Sequence, residues 1–208
     1  MTNNVFGQQP LRYLALGDSY TIGESLPPTD NFPSQVQAIL AKQGVIIDEI
    51  TIIAKTGWTT DELSQAIDAA QPANDYDFVS LLVGVNNQYR GRSAAEYAGE
   101  FEALLHRAIG FAGGRRERVV VLSIPDWGVT PYAEGRDRLA IARAIDAYNK
   151  VNRDISRKHD IRYIDITPGT RKASSDPVLV AEDGLHPSSI TYHEWAEAVA
   201  AWITKMLK

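Results

Sequence analysis

Short apolar runs alternate with longer periodic ones along the whole chain. Residues 13–16, 45–53, 78–83 and 119–124 are largely apolar runs, rich in Val, Ile and Leu, that stop at or near a glycine, a proline or a charge. Residues 161–166 form a weaker fifth run, and Asp48 and Glu49 interrupt the second. Continuous apolar runs of this length are what strands covered on both faces look like.

Between them lie helical patterns. Residues 32–42 carry a moderate one. The next, 59–70, opens with Thr59 and Glu62 in the spacing of a capping box. The clearest spans 93–111. Ser93 and Glu96 cap it, Tyr97, Phe101, Leu104, Leu105, Ala108 and Ile109 fall on one stripe, and Gly113 and Gly114 end it. Residues 138–158 place Ile141, Ile145, Tyr148, Asn152 and Ile155 on one side. Residues 188–207 do the same with Trp195, Val199, Trp202, Ile203 and Met206. Strict alternation of strand and helix implies right-handed crossovers, a parallel sheet and helices on both of its faces. No repeat or linker divides the chain, so one domain is expected over residues 1–208. In such sheets ligands bind beyond the carboxyl ends of the strands. The residues that follow each strand are therefore the ones to read, together with the two long aperiodic stretches, 125–136 and 167–187.

Composition narrows the chemistry. There are 208 residues and no cysteine, which removes disulfides, zinc–thiolate and iron–sulfur sites, and thiol catalysis. A net charge of −5 argues against nucleic acid as a partner. No apolar stretch is long enough to span a bilayer, so no membrane insertion is expected. The start, MTNNVFGQQP, lacks the basic and apolar regions of a signal peptide. The protein then either stays in the cytoplasm or is exported after removal of a leader. The oligomeric state is not readable.

After the first strand comes Gly17-Asp18-Ser19-Tyr20, and after the second Lys55-Thr56-Gly57-Trp58. After the third comes Gly84-Val85-Asn86-Asn87. The last long loop holds Asp183-Gly184-Leu185-His186-Pro187. These turns should crowd one sheet edge. They supply a serine, a histidine with an acid three residues before it, a glycine and a neutral amide donor, which are the parts for acyl transfer through a serine nucleophile. The four blocks, in this order, resemble those of the SGNH/GDSL hydrolases. The resemblance implies a three-layer α/β/α sandwich with a five-stranded parallel sheet in the flavodoxin-like order 2-1-3-4-5. It implies Ser19 as nucleophile, His186 as general base and Asp183 as its orienting acid. Backbone N–H groups of Ser19 and Gly57 and the side chain of Asn86 would form the oxyanion hole. The chain departs from the family pattern at Tyr20, where Leu is usual, and at Asn87, where the third block commonly has Asp. It also lacks the Asn that often precedes the glycine of the second block.

The implied activity is hydrolysis of a carboxylic ester, with no cofactor and no metal. Relatives act on acetylated sugars, lysophospholipids, thioesters and simple esters. Trp58, Tyr89, Trp127 and Leu185 are candidate pocket residues, with Tyr132 nearby, and their bulk favours short acyl chains. Acyl transfer to another alcohol by the same triad is the alternative. A flavodoxin-like binding protein using residues 19–23 as a phosphate loop is a weaker one, since it leaves Asp183 and His186 unexplained. Elsewhere, Asp18 and Gly84 read as turn residues and Arg90 and Arg92 as solvated. His106 reads as exposed and His159 as a helix-end residue. His193 lacks the second histidine of a zinc-protease helix.

Overall fold

The computed structural model describes residues 11–208, so the N-terminal decapeptide considered above lies outside the described residues. Its strands are β1 (Leu11–Asp18), β2 (Ile47–Lys55), β3 (Phe78–Leu82), β4 (Val119–Leu122) and β5 (Arg162–Ile164). They form one sheet in the order β2-β1-β3-β4-β5, and every pairing is parallel. The helices are α1 (Ser19–Ile22), α2 (Phe32–Lys42), α3 (Thr60–Ala70), α4 (Val85–Tyr89), α5 (Ala94–Phe111), α6 (Arg138–Lys158), α7 (Thr167–Thr170) and α8 (Ser189–Met206). Helix α2 packs on α8, while α3, α5 and α6 pack side by side. The result is the expected three-layer α/β/α sandwich in the expected strand order.

The central strands bury every residue. β3 and β4 have no exposed position, and the only polar side chain in them, Ser80, accepts a hydrogen bond from the buried Tyr13 hydroxyl at 2.8 Å. On α5 the predicted stripe is the buried face, with Ile109 half-buried. Its capping box is formed as the spacing suggests: Ser93 N–H donates to Glu96 at 2.9 Å and Glu96 N–H to Ser93 Oγ at 3.2 Å. Trp195 is fully covered. Trp202 is only partly so, edge-on to Phe78 at 6.1 Å.

Boundaries differ from periodicity where a specific hydrogen bond intervenes. Val45 N–H is taken by the Leu40 carbonyl in the turn after α2, so β2 begins two residues late. It continues past the apolar run to Lys55 because β1 pairs with it through Asp18↔Lys55. β5 stops at Ile164 because Ile166 N–H turns to the Ser123 hydroxyl at 2.8 Å. Among the short helices not foreseen, which include α7, are α1 and α4. Both lie at strand ends, and both belong to the site.

Candidate active site

Ser19 follows the last residue of β1. The Asp18 side chain accepts from Tyr20 N–H at 3.0 Å and so caps α1, which makes Ser19 the first helical residue rather than a cap. The Ser19 carbonyl accepts from both Gly23 and Glu24 N–H at 3.1 Å, closing the four-residue turn and fixing the serine backbone. Asp18 is 1% exposed, and its second oxygen finds no partner among the described residues. Burial pushes this carboxyl up to about 7, and the Tyr20 hydrogen bond offsets only part of that effect.

His186 stands on the loop before α8, buried beneath the edge of the Tyr20 ring, whose centroid is 5.4 Å from its own. Its Nδ1 is 2.5 Å from Asp183 Oδ2. The other carboxylate oxygen accepts from Leu185 N–H at 2.9 Å and His186 N–H at 3.0 Å. Ser25 Oγ donates to Oδ2 at 2.7 Å. Partial burial raises the Asp183 carboxyl, but hydrogen bonds from His186, the two amides and Ser25 outweigh it and hold the group down at about 2. The acid therefore stays ionised and occupies Nδ1, which leaves Nε2 for chemistry. Ser25 was not anticipated. It lies 158 residues from Asp183 and carries a left-handed φ of 68°, neither of which local sequence reveals.

The third component is a turn laced to a helix. Gly57, at φ 84°, stands in the turn after β2, and a Cβ there would meet nothing within 4 Å, so backbone conformation rather than space requires glycine. Three side chains of α4 and its cap bind this turn. Asn86 Nδ2 donates to the Trp58 carbonyl at 2.9 Å. Arg90 donates to the Gly57 carbonyl at 2.7 Å. Asn87 Oδ1 accepts from Thr60 N–H at 3.1 Å. Arg90 also pairs with Glu62, and Arg92 pairs with Asp61 at 2.6 Å, so neither is the solvated charge expected. Gly84 is more than a turn residue. At φ 127°, any Cβ would stand 2.6–2.8 Å from the Tyr97 ring and hydroxyl, so only glycine lets β3 pass into α4 against that tyrosine.

Ser19, Gly57, Asn86 and His186 line one cavity of about 140 Å³, with Tyr20, Thr56, Val85, Tyr89, Trp127, Tyr132 and Leu185. Trp58 is not among them. Its carbonyl serves Asn86 while its ring packs on the core, which corrects its placement as a pocket side chain. The aromatic wall is fixed from several sides. Trp127 Nε1 donates to Gln88 at 2.8 Å, Tyr132 N–H to the Gly184 carbonyl at 2.9 Å, and the Tyr89 and Tyr132 hydroxyls are 2.9 Å apart. Arg136 lies over all three rings at 5.3–5.4 Å. Beneath, buried Asp126 accepts from Gly128 N–H and pairs with Arg171 at 2.8 Å, which orders the loop that carries Trp127.

The model of the GDSL-like Lipase/Acylhydrolase family matches residues 15–193, from β1 through the His186 loop. The chain belongs to this family. It is thus a hydrolase of the esterase and lipase type, with a small-molecule ester as its class of substrate. No curated protein matches it by sequence. Among solved structures, the psychrotrophic esterase EstA from Pseudoalteromonas sp. shares 16% identity at a TM-score of 0.70, over 94% of this chain and 98% of that one. Axe2, an acetylxylan esterase from Geobacillus stearothermophilus, shares 19% at 0.70, over 93% and 94%. A lipolytic G-D-S-L protein from Veillonella parvula shares 17% at 0.66, over 92% and 96%. At these identities the likeness is one of fold. No helix among the described residues is long and apolar enough to cross a membrane.

Two predictions concern the buried polar groups. The folded value of Asp18 lies above the ordinary 3.8, so its favourable contribution is complete below pH 4 and is lost as pH rises through about 7. Asp18→Asn keeps the cap and should remove this slope, measured as urea midpoints from pH 4 to 8. An unchanged slope would contradict the assignment. At Asn87, Nδ2 donates to Thr60 Oγ1 at 2.6 Å and to Glu100 at 3.2 Å. A carboxylate cannot donate, so Asn87→Asp would set two acids together beside Thr60. It should cost about 1–3 kcal/mol, and more at pH 8 than at pH 4, where protonation relieves the repulsion. Equal or higher stability at pH 8 would refute this.

Proposed function

We propose that the protein hydrolyses carboxylic esters with short acyl chains through an acyl-enzyme on Ser19. The observation that carries the reading is the Asp183–His186 pair, joined at 2.5 Å on the cavity that also holds Ser19. In this mechanism His186 Nε2 takes the Ser19 proton as Oγ attacks the ester carbonyl. Asp183 stays ionised and stabilises the imidazolium that forms. The oxyanion is received by the Ser19 and Gly57 N–H groups and by the Asn86 amide. One Asn86 hydrogen is engaged by the Trp58 carbonyl, so the amide is oriented while its second hydrogen remains for substrate. Collapse of the tetrahedral intermediate expels the alcohol, which takes its proton from His186. Water then repeats the sequence on the acyl-enzyme.

The cavity supports the short-acyl part. Its volume of about 140 Å³ is well below the roughly 300 Å³ at which drug-sized ligands begin to fit. Trp127, Tyr132 and Leu185 restrict it, and the bonds that tie Trp127 and Tyr132 to Gln88 and Gly184 oppose widening.

Labelling with a fluorophosphonate, which reacts with an activated serine, tests the proposal alongside turnover of p-nitrophenyl esters of increasing acyl length. Ser19→Ala and His186→Ala should each abolish labelling and turnover. Asn86→Ala should lower kcat by roughly 10²–10³ with KM little changed, since its bond strengthens as the oxyanion forms. Turnover should peak at acetyl to butyryl esters and release the free acid even with a competing alcohol present. Full activity in folded Ser19→Ala would overturn the mechanism. A maximum at long chains would overturn the substrate class, and predominant transfer to the alcohol would make the protein an acyltransferase.

A further inference from the structure

Two histidines outside the ester site meet an acid at the seam of α5 and α6. Glu102 and His106 are four residues apart on α5 and so share a face. His159 is the carboxyl cap of α6, just before β5. It brings Nε2 to 2.6 Å from Glu102 Oε1. The His106 and His159 rings stand nearly perpendicular, at 83°, with centroids 4.6 Å apart. One donor atom from each of the three residues lies within 4.8 Å of the other two. The cluster faces the edge where β4 and β5 begin, opposite the strand ends that carry Ser19.

From this convergence we propose that Glu102, His106 and His159 form a binding site for a divalent transition-metal ion of the zinc class, which joins α5 to α6. The donor chemistry selects the ion. Two imidazoles and one carboxylate suit zinc and its neighbours, whereas magnesium and calcium take all-oxygen sites. Zinc bonds of about 2.0–2.2 Å in a tetrahedral arrangement put donors roughly 3.3–3.6 Å apart, with water free to fill the fourth position. Reaching that spacing asks the donors up to 4.8 Å apart to close by roughly 1.2–1.5 Å and the 2.6 Å Glu102–His159 contact to open by roughly 1 Å. His106 is exposed and its side chain is free to move. An ion pair alone leaves His106 without a role, because Lys158 and His159 both contact Glu102 Oε1 already, at 2.7 and 2.6 Å. Lys158 is the competitor. Its side chain is 65% exposed, so it can leave for solvent when the metal takes the carboxylate. Next to the cluster, Arg116 donates to the His159 carbonyl at 3.4 Å and faces Asp160 at 3.9 Å. Neither blocks the three donors.

Calorimetric titration of the intact protein with zinc chloride tests the site, with thermal denaturation in parallel. The expected result is one saturable site and a raised melting midpoint that a chelator reverses. His106→Ala, His159→Ala and Glu102→Gln should each weaken binding at least tenfold and abolish the rise. Lys158→Ala should bind more tightly than wild type, since the competing ammonium is gone; a purely structural ion pair would give no such gain. His186→Ala should bind as wild type does, and His106→Ala should keep full fluorophosphonate labelling. Absence of saturable binding in wild type would overturn the proposal. Undiminished binding in His106→Ala, an exposed position whose change spares the core, would overturn it too. So would binding lost in His186→Ala instead.

Discussion

The carboxylate of Asp183 organises the turn that it serves. One oxygen gathers the Leu185 and His186 amides, and the other receives the His186 ring and the Ser25 hydroxyl. Such a carboxylate is both oriented and kept ionised, because every bond it accepts favours the charged form. This turn ties together parts that chain connectivity leaves apart. Ser25 brings in the segment after α1, which begins with Ser19, and the Gly184 carbonyl accepts from Tyr132 N–H and so holds the cavity wall. The Asp183 carboxylate thus links His186 to the segment after α1, and the Gly184 carbonyl next to it ties the same turn to Tyr132.

The opposite side of the cavity depends on α4. Its five residues are too few to be stable alone. They are stable because Gly84 lets the chain turn sharply against Tyr97, and because Asn86, Asn87 and Arg90 bind three successive parts of the Gly57–Thr60 turn. The Asn in place of the commoner Asp at position 87 has a local explanation. Glu100 of α5 supplies a carboxylate to this corner, and a neutral amide can accept from Thr60 N–H while donating to Glu100.

The strands and long helices were legible because each carries a pattern longer than its own boundary error. Alternation then dictated a parallel sheet, and the strand-end rule pointed to the four blocks. The order of the strands rested on the family resemblance, since periodicity does not rank neighbours. Helices α1 and α4, of four and five residues, are shorter than any window in which a 3.6 period shows. Side-chain destinations were least legible. Trp58 has the residue type of a pocket wall, yet its backbone is what the site uses. Arg90 and Arg92 look solvated on charge alone, but the turn they face is made of carbonyls and acids. His106 and His159 were each placed correctly, one exposed and one at a helix end. Their meeting depends on how α5 lies against α6, which neither segment encodes by itself.

An ionised Asp183 should hold His186 as the Nδ1–H tautomer, with Nε2 free to take a proton. Nitrogen-15 NMR of histidine-labelled protein measures this directly at a pH where the ring is neutral. His186 Nδ1 should bear the proton and Nε2 a lone pair in the wild type, and this preference should be lost in Asp183→Asn. A His186 that is protonated at Nε2, or whose tautomer is the same in both proteins, would contradict this.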